Sequence, residues 1–182
     1  MSKQIKVCVF GLGYIGLPTS LLLSRSGFRV IGVDINEDVI NSLRNNKIHI
    51  SEPSLNNLLK KSLNEKTFIP TTVPREADIF LIAVPTPFRE DKSKIPYPDI
   101  SFIINAIKMI SKVYKPNNLV IIESTSPVGT SEKVFEILSE KSNLNKNQIL
   151  LAYCPERVLP GQILQELVHN NRVIGGINEE CV

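Results

Sequence analysis

Long apolar runs are missing from this 182-residue sequence. Stretches such as IFLIAV fall far short of the roughly 20 residues that a membrane helix needs, so no membrane segment is expected. An excess of charge is missing too. The 21 Lys+Arg and 18 Asp+Glu residues are scattered with no run of one sign, and no nucleic-acid partner is expected. The three cysteines show neither disulfide nor metal spacing, so no metal is expected, and Cys8, between Val7 and Val9, reads as inert core. The opening MSKQIKV is polar and runs straight into a strand-like pattern, so no signal peptide is expected and a reducing cytoplasm fits. Repeats and low-complexity tracts are absent. At 42% hydrophobic and 21% charged, the composition suits one globular core and excludes a disordered or fibrous chain.

What is present is an alternation of short β-branched runs with longer amphipathic ones, the pattern of a parallel sheet covered by helices. Strands are expected at IKVCVF, FRVIGVD, TFIPTT, DIFLIAV, NLVIIES, QILLAY and RVIGG, and helices over 14–26, 36–45, 53–64, 99–114, 130–142 and 162–169. Several strands are apolar at both alternate positions, as when helices cover both faces. The fold class is therefore α/β, a doubly wound (Rossmann-type), mostly parallel sheet. Ser51 with Pro53 is expected to open the third helix, and Asp99 to cap the fourth. Residues 85–98, with four prolines and several charges, read as an irregular exposed loop. In the final GINEECV, Asn178 resembles a cap and EECV an opening helical turn, so residues 1–182 are expected to form the first domain of a larger protein.

Gly11, Gly13 and Gly16 stand in G-x-G-x-x-G spacing. The triplet alone is weak evidence, but here a strand precedes it, a helix follows, and a second strand ends in an acid. Gly11 allows the tight turn, Gly13 lets the backbone approach a pyrophosphate, and Gly16 lets the helix pack close to the strand. The first N–H groups of the helix then face the phosphates. Asp34 follows Gly16 by 34 − 16 = 18 positions, suited to an acid that accepts bonds from the adenosine ribose hydroxyls. The same carboxylate repels a 2′-phosphate, so NAD is expected over NADP. The alternative role for Asp34 is a cap on the following helix.

Ligands in open parallel sheets bind beyond the carboxyl ends of the strands, which nominates VPTP, ESTSPVGT and YCPERVLPG. Thr86 and Thr125 place hydroxyls where the nicotinamide half is expected. Otherwise Thr86 is a turn residue between two prolines, and Thr125 caps the helix after Gly129. In the last stretch, Glu156 and Arg157 sit between Pro155 and Pro160. The prolines limit the freedom of the loop, so Arg157 meets an anionic ligand at reduced entropic cost, with a planar fork suited to phosphate or carboxylate. The alternative is a surface pair between Glu156 and Arg157, worth little energetically.

GLGYIGLP, GVDIN, LIAVPTPF, ESTSPVGT and AYCPERVLPGQILQEL…NRVIGG, in this order along essentially the whole chain, resemble the UDP-glucose/GDP-mannose dehydrogenase family. PERVLPG resembles the branch that acts on UDP-N-acetyl-D-mannosamine. The resemblance implies oxidation of the C6 alcohol of a nucleotide sugar to the uronate with two NAD molecules, through a cysteine thiohemiacetal and thioester, for surface polysaccharide synthesis. It implies NAD contacts by Tyr14 and Ile15 beside the glycines, ribose binding by Asp34, and a cofactor cleft completed by Thr86 and Thr125. It further implies that Arg157 and Val158 touch the nucleotide-sugar substrate and that Glu156 supports the hydrolytic step as a catalytic residue. The full-length protein is implied to be a homodimer or higher oligomer.

Departures from the family pattern bear on these expectations. Val39 stands where many relatives carry a basic residue, which alters the adenosine side. Pro160 stands where UDP-glucose-type enzymes show a second glutamate, which argues against UDP-glucose. The nucleophilic cysteine, with its lysine and asparagine, is expected beyond residue 182, so this chain alone is not expected to turn over. Cys154 reads as a packing residue at a strand end. Other readings stay open: a UDP-glucose or other nucleotide-sugar 6-dehydrogenase, a β-hydroxyacid or 6-phosphogluconate-type dehydrogenase, and a non-catalytic NAD-sensing module.

Overall fold

The computed structural model describes residues 4–52, 54–90, 95–159 and 161–181. Expectations that rest on Pro53, Pro160 or residues 91–94 therefore lie outside the described residues. The strands are β1 (Lys6–Phe10), β2 (Arg29–Val33), β3 (Phe68–Thr71), β4 (Ile79–Ile82), β5 (Phe88–Glu90), β6 (Pro96–Pro98), β7 (Leu119–Ile122), β8 (Leu150–Tyr153) and β9 (Gly175–Gly176). The helices are α1 (Gly16–Arg25), α2 (Glu37–Arg44), α3 (Leu55–Asn64), α4 (Ser101–Ile110), α5 (Thr130–Ser142) and α6 (Ile163–His169). Seven strands form one sheet in the order β3-β2-β1-β4-β7-β8-β9. All neighbours from β3 through β8 are parallel. The expected RVIGG strand is shorter: only Gly175 and Gly176 pair, antiparallel to Tyr153 and Ala152. Among the described residues no helix is long and apolar enough to cross a membrane.

The double-sided apolar pattern of β1 follows from its central place. Val7 and Val9 face Leu17 and Leu21 of α1, Ile40 and Leu43 of α2, and Leu55 and Leu59 of α3. Cys8 and Phe10 face the other layer, with Ile103 and Ile107 of α4 and Val134 and Leu138 of α5. Each such fully buried aliphatic side chain contributes about 1.5–3 kcal/mol, so the sheet is held from both faces. Gly27, at φ +93°, ends α1 and turns the chain into β2.

Two local expectations are corrected. Ser51 does not cap α3: Ser54, in a left-handed conformation, precedes the helix. Glu52, which lies between the two serines, is buried and accepts the Gly161 N–H at 2.8 Å, so this stretch is tied to the 161 loop ahead of the helix. The 85–98 segment is not irregular throughout, because β5 and β6 pair as an antiparallel ribbon. Prolines two apart, at 96 and 98, put both missing donors on one edge of this two-stranded ribbon. An Arg89 Nε–Asp99 Oδ2 ion pair of 2.6 Å closes its base. Asp99 also serves α4, accepting the Ser101 N–H at 2.9 Å from one position outside the N-cap residue, Ile100.

Candidate functional site

The chain winds from β1 outward to β3, then crosses back to place β4 on the other side of β1. Such a reversal opens a crevice at the carboxyl ends of the two central strands. The glycine loop forms its floor. Gly11 has φ +87° and donates its N–H to Val33 O at 2.8 Å. A Cβ there would lie 2.5 Å from Ala83 O, and one on Gly16 would lie 1.9 Å from Gly11 O. Those two positions serve packing. Gly13 differs, because a Cβ there meets nothing within 4 Å: its surface is open toward the crevice. At the start of α1, Ile15 makes no side-chain capping bond among the described residues, and the first turn holds no acid. The Leu17 N–H is bonded to Gly13 O at 3.2 Å and the Thr19 N–H to Ile15 O at 3.1 Å, and Pro18 has none, so the Gly16 N–H and those of the loop just before it are what this end offers an anionic ligand.

Asp34 is half-buried at the rim. Its Oδ2 accepts the Leu12 N–H at 2.9 Å and its Oδ1 accepts the Asn36 N–H at 2.9 Å. The carboxylate is thus pinned by the glycine loop itself, with a lone pair on each oxygen left over. It does not cap α2; that cap is Asn36, which accepts the Asp38 N–H. The crevice encloses about 460 Å³ and is lined by Gly11, Gly13, Tyr14, Ile15 and Asp34. His49, Phe102, Asn105 and Met109 also line it. These four were not foreseen, because an irregular segment and one face of a core helix carry no local signal for a ligand wall. The open Gly13, the uncapped helix start and the pinned acid fit the pyrophosphate and ribose of a dinucleotide.

Thr86 and Thr125 lie together but outside the lining of that crevice. Thr86 Oγ1 donates to Thr125 O at 2.8 Å, tying the ends of β4 and β7. Thr125 is not the cap of α5, whose N-cap is Gly129 at φ +87°. The sequence treated three strand ends as walls of one cleft. In the structure the ends of β7 and β8 frame other cavities. One of about 330 Å³ is lined by Pro155, Glu156, Arg157, Asn170, Asn171 and Arg172.

Glu156 and Arg157 face opposite ways. Glu156 is buried and forms an ion pair with Arg172 Nη2. Arg157 is exposed, and its guanidinium makes no ion pair among the described residues, so the surface pair between these two neighbours does not form. Val158 beside it is half-buried. Arg172 Nη1 also bonds Glu123 Oε1 at 3.2 Å and lies 3.8 Å from the sulfur of buried Cys154. Burial pushes the Glu123 carboxyl up to about 7; Arg172 holds it down in part, the Glu156 charge raises it, and the Thr19 hydroxyl lowers it. Glu123 and Arg172 escaped sequence reasoning because they stand 49 residues apart. The only available clue was an acid ending an apolar run. Among the described residues no cluster of His, Cys, Asp and Glu is placed to hold a metal.

A doubly wound sheet with an uncapped glycine loop at its switch point and an acid closing the second strand defines a dinucleotide-binding Rossmann domain. Residues 5–182 match the NAD binding domain of the UDP-glucose/GDP-mannose dehydrogenase family, and the chain belongs to that family. The chain is 48% identical, over its whole length, to 46% of a UDP-N-acetyl-D-mannosamine dehydrogenase of Campylobacter jejuni. It is 46% identical to an NDP-N-acetyl-D-galactosaminuronic acid dehydrogenase of Ralstonia solanacearum, covering 96% of this chain and 42% of that protein. Among solved structures, a UDP-N-acetyl-mannosamine dehydrogenase of Staphylococcus aureus superposes with TM-score 0.90 at 42% identity, over 97% of this chain and 42% of that one. The chain thus spans less than half the length of the relatives it matches.

Proposed function

We propose that this chain is the cofactor-binding part of an NAD-dependent dehydrogenase that oxidises the C6 alcohol of UDP-N-acetyl-D-mannosamine to the uronate. Gly11, Gly13, Tyr14, Ile15 and Gly16 would hold the pyrophosphate, directly or by shaping the loop, and Asp34 the adenosine ribose. Thr86 and Thr125 would border the nicotinamide half. Bound NAD supplies the hydride acceptor. Arg157 and Val158 would contact the nucleotide sugar, and Glu156 would support the hydrolytic step. The nucleophilic cysteine is assigned to the remaining part of the protein, which we read as a cytoplasmic homodimer or higher oligomer.

The observation that carries this reading is the outward guanidinium of Arg157, on a loop whose neighbouring carboxylate is turned inside. An unpaired fork donor beside a cavity suits a diphosphate. The identity to relatives that carry this substrate in their names supports the particular sugar. The galactosaminuronic acid relative supports a second reading, in which the sugar has the galacto configuration. The test is to titrate the chain with UDP-N-acetyl-D-mannosamine and its galacto isomer while following melting temperature. The manno compound is expected to stabilise more, because a ligand that binds only the native state raises its melting point. No stabilisation by either refutes the substrate reading. With NAD and substrate together the chain is expected to form no sustained NADH absorbance, and sustained turnover would contradict the assignment of the nucleophile elsewhere.

A further inference from the structure

Two neighbouring charges on one loop, one buried and one exposed, need something to decide which goes where. Glu156 is buried and Arg157 beside it is exposed, so whatever holds the first inside leaves the second outside. We propose that Arg172 and Glu123 form the positioning pair of the 155–159 loop: they draw Glu156 inward and so commit Arg157 to face an anionic ligand. This rests on the reading of that loop as the substrate loop. Arg172 lies beyond the end of α6, Glu123 at the end of β7 and Glu156 after β8, so one guanidinium joins three segments. The backbone follows the same clamp. The Glu156 N–H donates to Glu123 O at 3.2 Å, and the Arg157 N–H donates to Glu156 Oε1 at 2.8 Å.

The clamp is linked to protons. Facing Arg172 are Glu123, Glu156, the Cys154 sulfur and the Leu167 carbonyl, while Thr19 of α1 stands beside Glu123 and Arg157 lines the adjoining cavity. With both carboxylates ionised, one guanidinium is divided between two buried negative charges. When Glu123 takes up a proton near neutral pH, Arg172 serves Glu156 alone. The loop therefore tightens as pH falls through about 7, and affinity for an anionic ligand falls as pH rises.

Two readouts without ligand decide the matter. Amide hydrogen exchange at Arg157 reports the bond to Glu156, and carbon NMR titration reports Glu123. Arg172→Met is expected to speed exchange at Arg157 by about tenfold, since a hydrogen bond to a charged acceptor is lost. It should also raise the Glu123 midpoint, whereas Glu156→Gln should lower it. If Arg172→Met folds poorly, Arg172→Lys, which keeps the charge but not the fork, is judged in its place, with a smaller change in the same direction. Exchange and midpoints equal to wild type overturn the proposal. A third arm titrates the chain with UDP-N-acetyl-D-mannosamine, whose diphosphate diester does not change charge in this range, at pH 6 and pH 8. Affinity is expected to fall toward pH 8 in wild type and to become flat in Glu123→Gln. A pH dependence that survives in Glu123→Gln counts against the proton linkage. No binding at either pH sinks the substrate reading, and the exchange and NMR arms then judge the clamp alone.

Discussion

Replacing Asp34 by alanine separates two roles that one carboxylate fills. The substitution leaves the Leu12 and Asn36 N–H groups without their acceptors, each bonded at 2.9 Å in the native protein. A buried hydrogen bond to a charged acceptor contributes about 1.5–3 kcal/mol. The Asn36 side is exposed and water replaces part of that bond, so the two together amount to about 2–3 kcal/mol. In a domain of this size one kcal/mol moves the melting point by about 2–4 °C, so the expected loss is about 4–12 °C. Asp34→Asn keeps one acceptor oxygen and should lose about half as much. It also removes the charge that opposes a 2′-phosphate, so the difference between NAD and NADP as stabilisers should shrink. The assay is a melting curve for each variant without ligand, then with each dinucleotide. If Asp34→Ala melts with the wild type, the carboxylate does not brace the glycine loop. If NADP gains nothing in Asp34→Asn, the carboxylate does not set the cofactor preference.

Other outcomes follow from the same structure. Gly16→Ala places a methyl 1.9 Å from a backbone oxygen that cannot swing aside. It should cost about 1–3 kcal/mol or more and weaken NAD binding, and a variant with wild-type melting and affinity would dismiss the close-packing role. Because the Glu123 carboxyl is raised to about 7 from 4.5, the folded state holds the proton more tightly than the unfolded chain. Stability tied to this group is therefore full at acidic pH and is lost as pH rises through that window, on the order of 2–3 kcal/mol between pH 5 and 8. Denaturant titrations of wild type and Glu123→Gln should differ in slope with pH, and parallel curves would contradict the assigned burial. Burial pushes the Cys8 thiol up to about 12, so a disulfide reagent should label it only after unfolding; rapid labelling in the native protein would be inconsistent with that burial.

The fold was legible because its signals are local. The apolar doublets of β1 and β2, the glycine triplet and the Gly27 stop act within a few residues of one another, and apart from β5 and β6 the observed strands and α-helices fall within the expected segments. The pairing of β5 with β6 was hidden because the prolines outvoted it, and prolines do not prevent pairing when their missing donors face an outer edge. The short, reversed β9 was hidden because strand direction is decided by the path of the chain and not by strand composition. At the site, the glycine loop and Asp34 could be read from spacing, since one βαβ unit carries them all. The walls supplied by His49, Phe102, Asn105 and Met109 could not, because they reach the crevice only through tertiary packing. Arg172 illustrates the same limit: its partners Glu123 and Glu156 come from two other strand ends, and nothing in NNRV marks it as a clamp.

The account stands most directly on which dinucleotide is held. Calorimetric titration of the chain with NAD and NADP under identical conditions measures this. The structure predicts saturable binding of NAD at one site, with NADP weaker by at least about tenfold because its extra phosphate meets the Asp34 carboxylate. Equal or tighter binding of NADP would contradict the account at its centre.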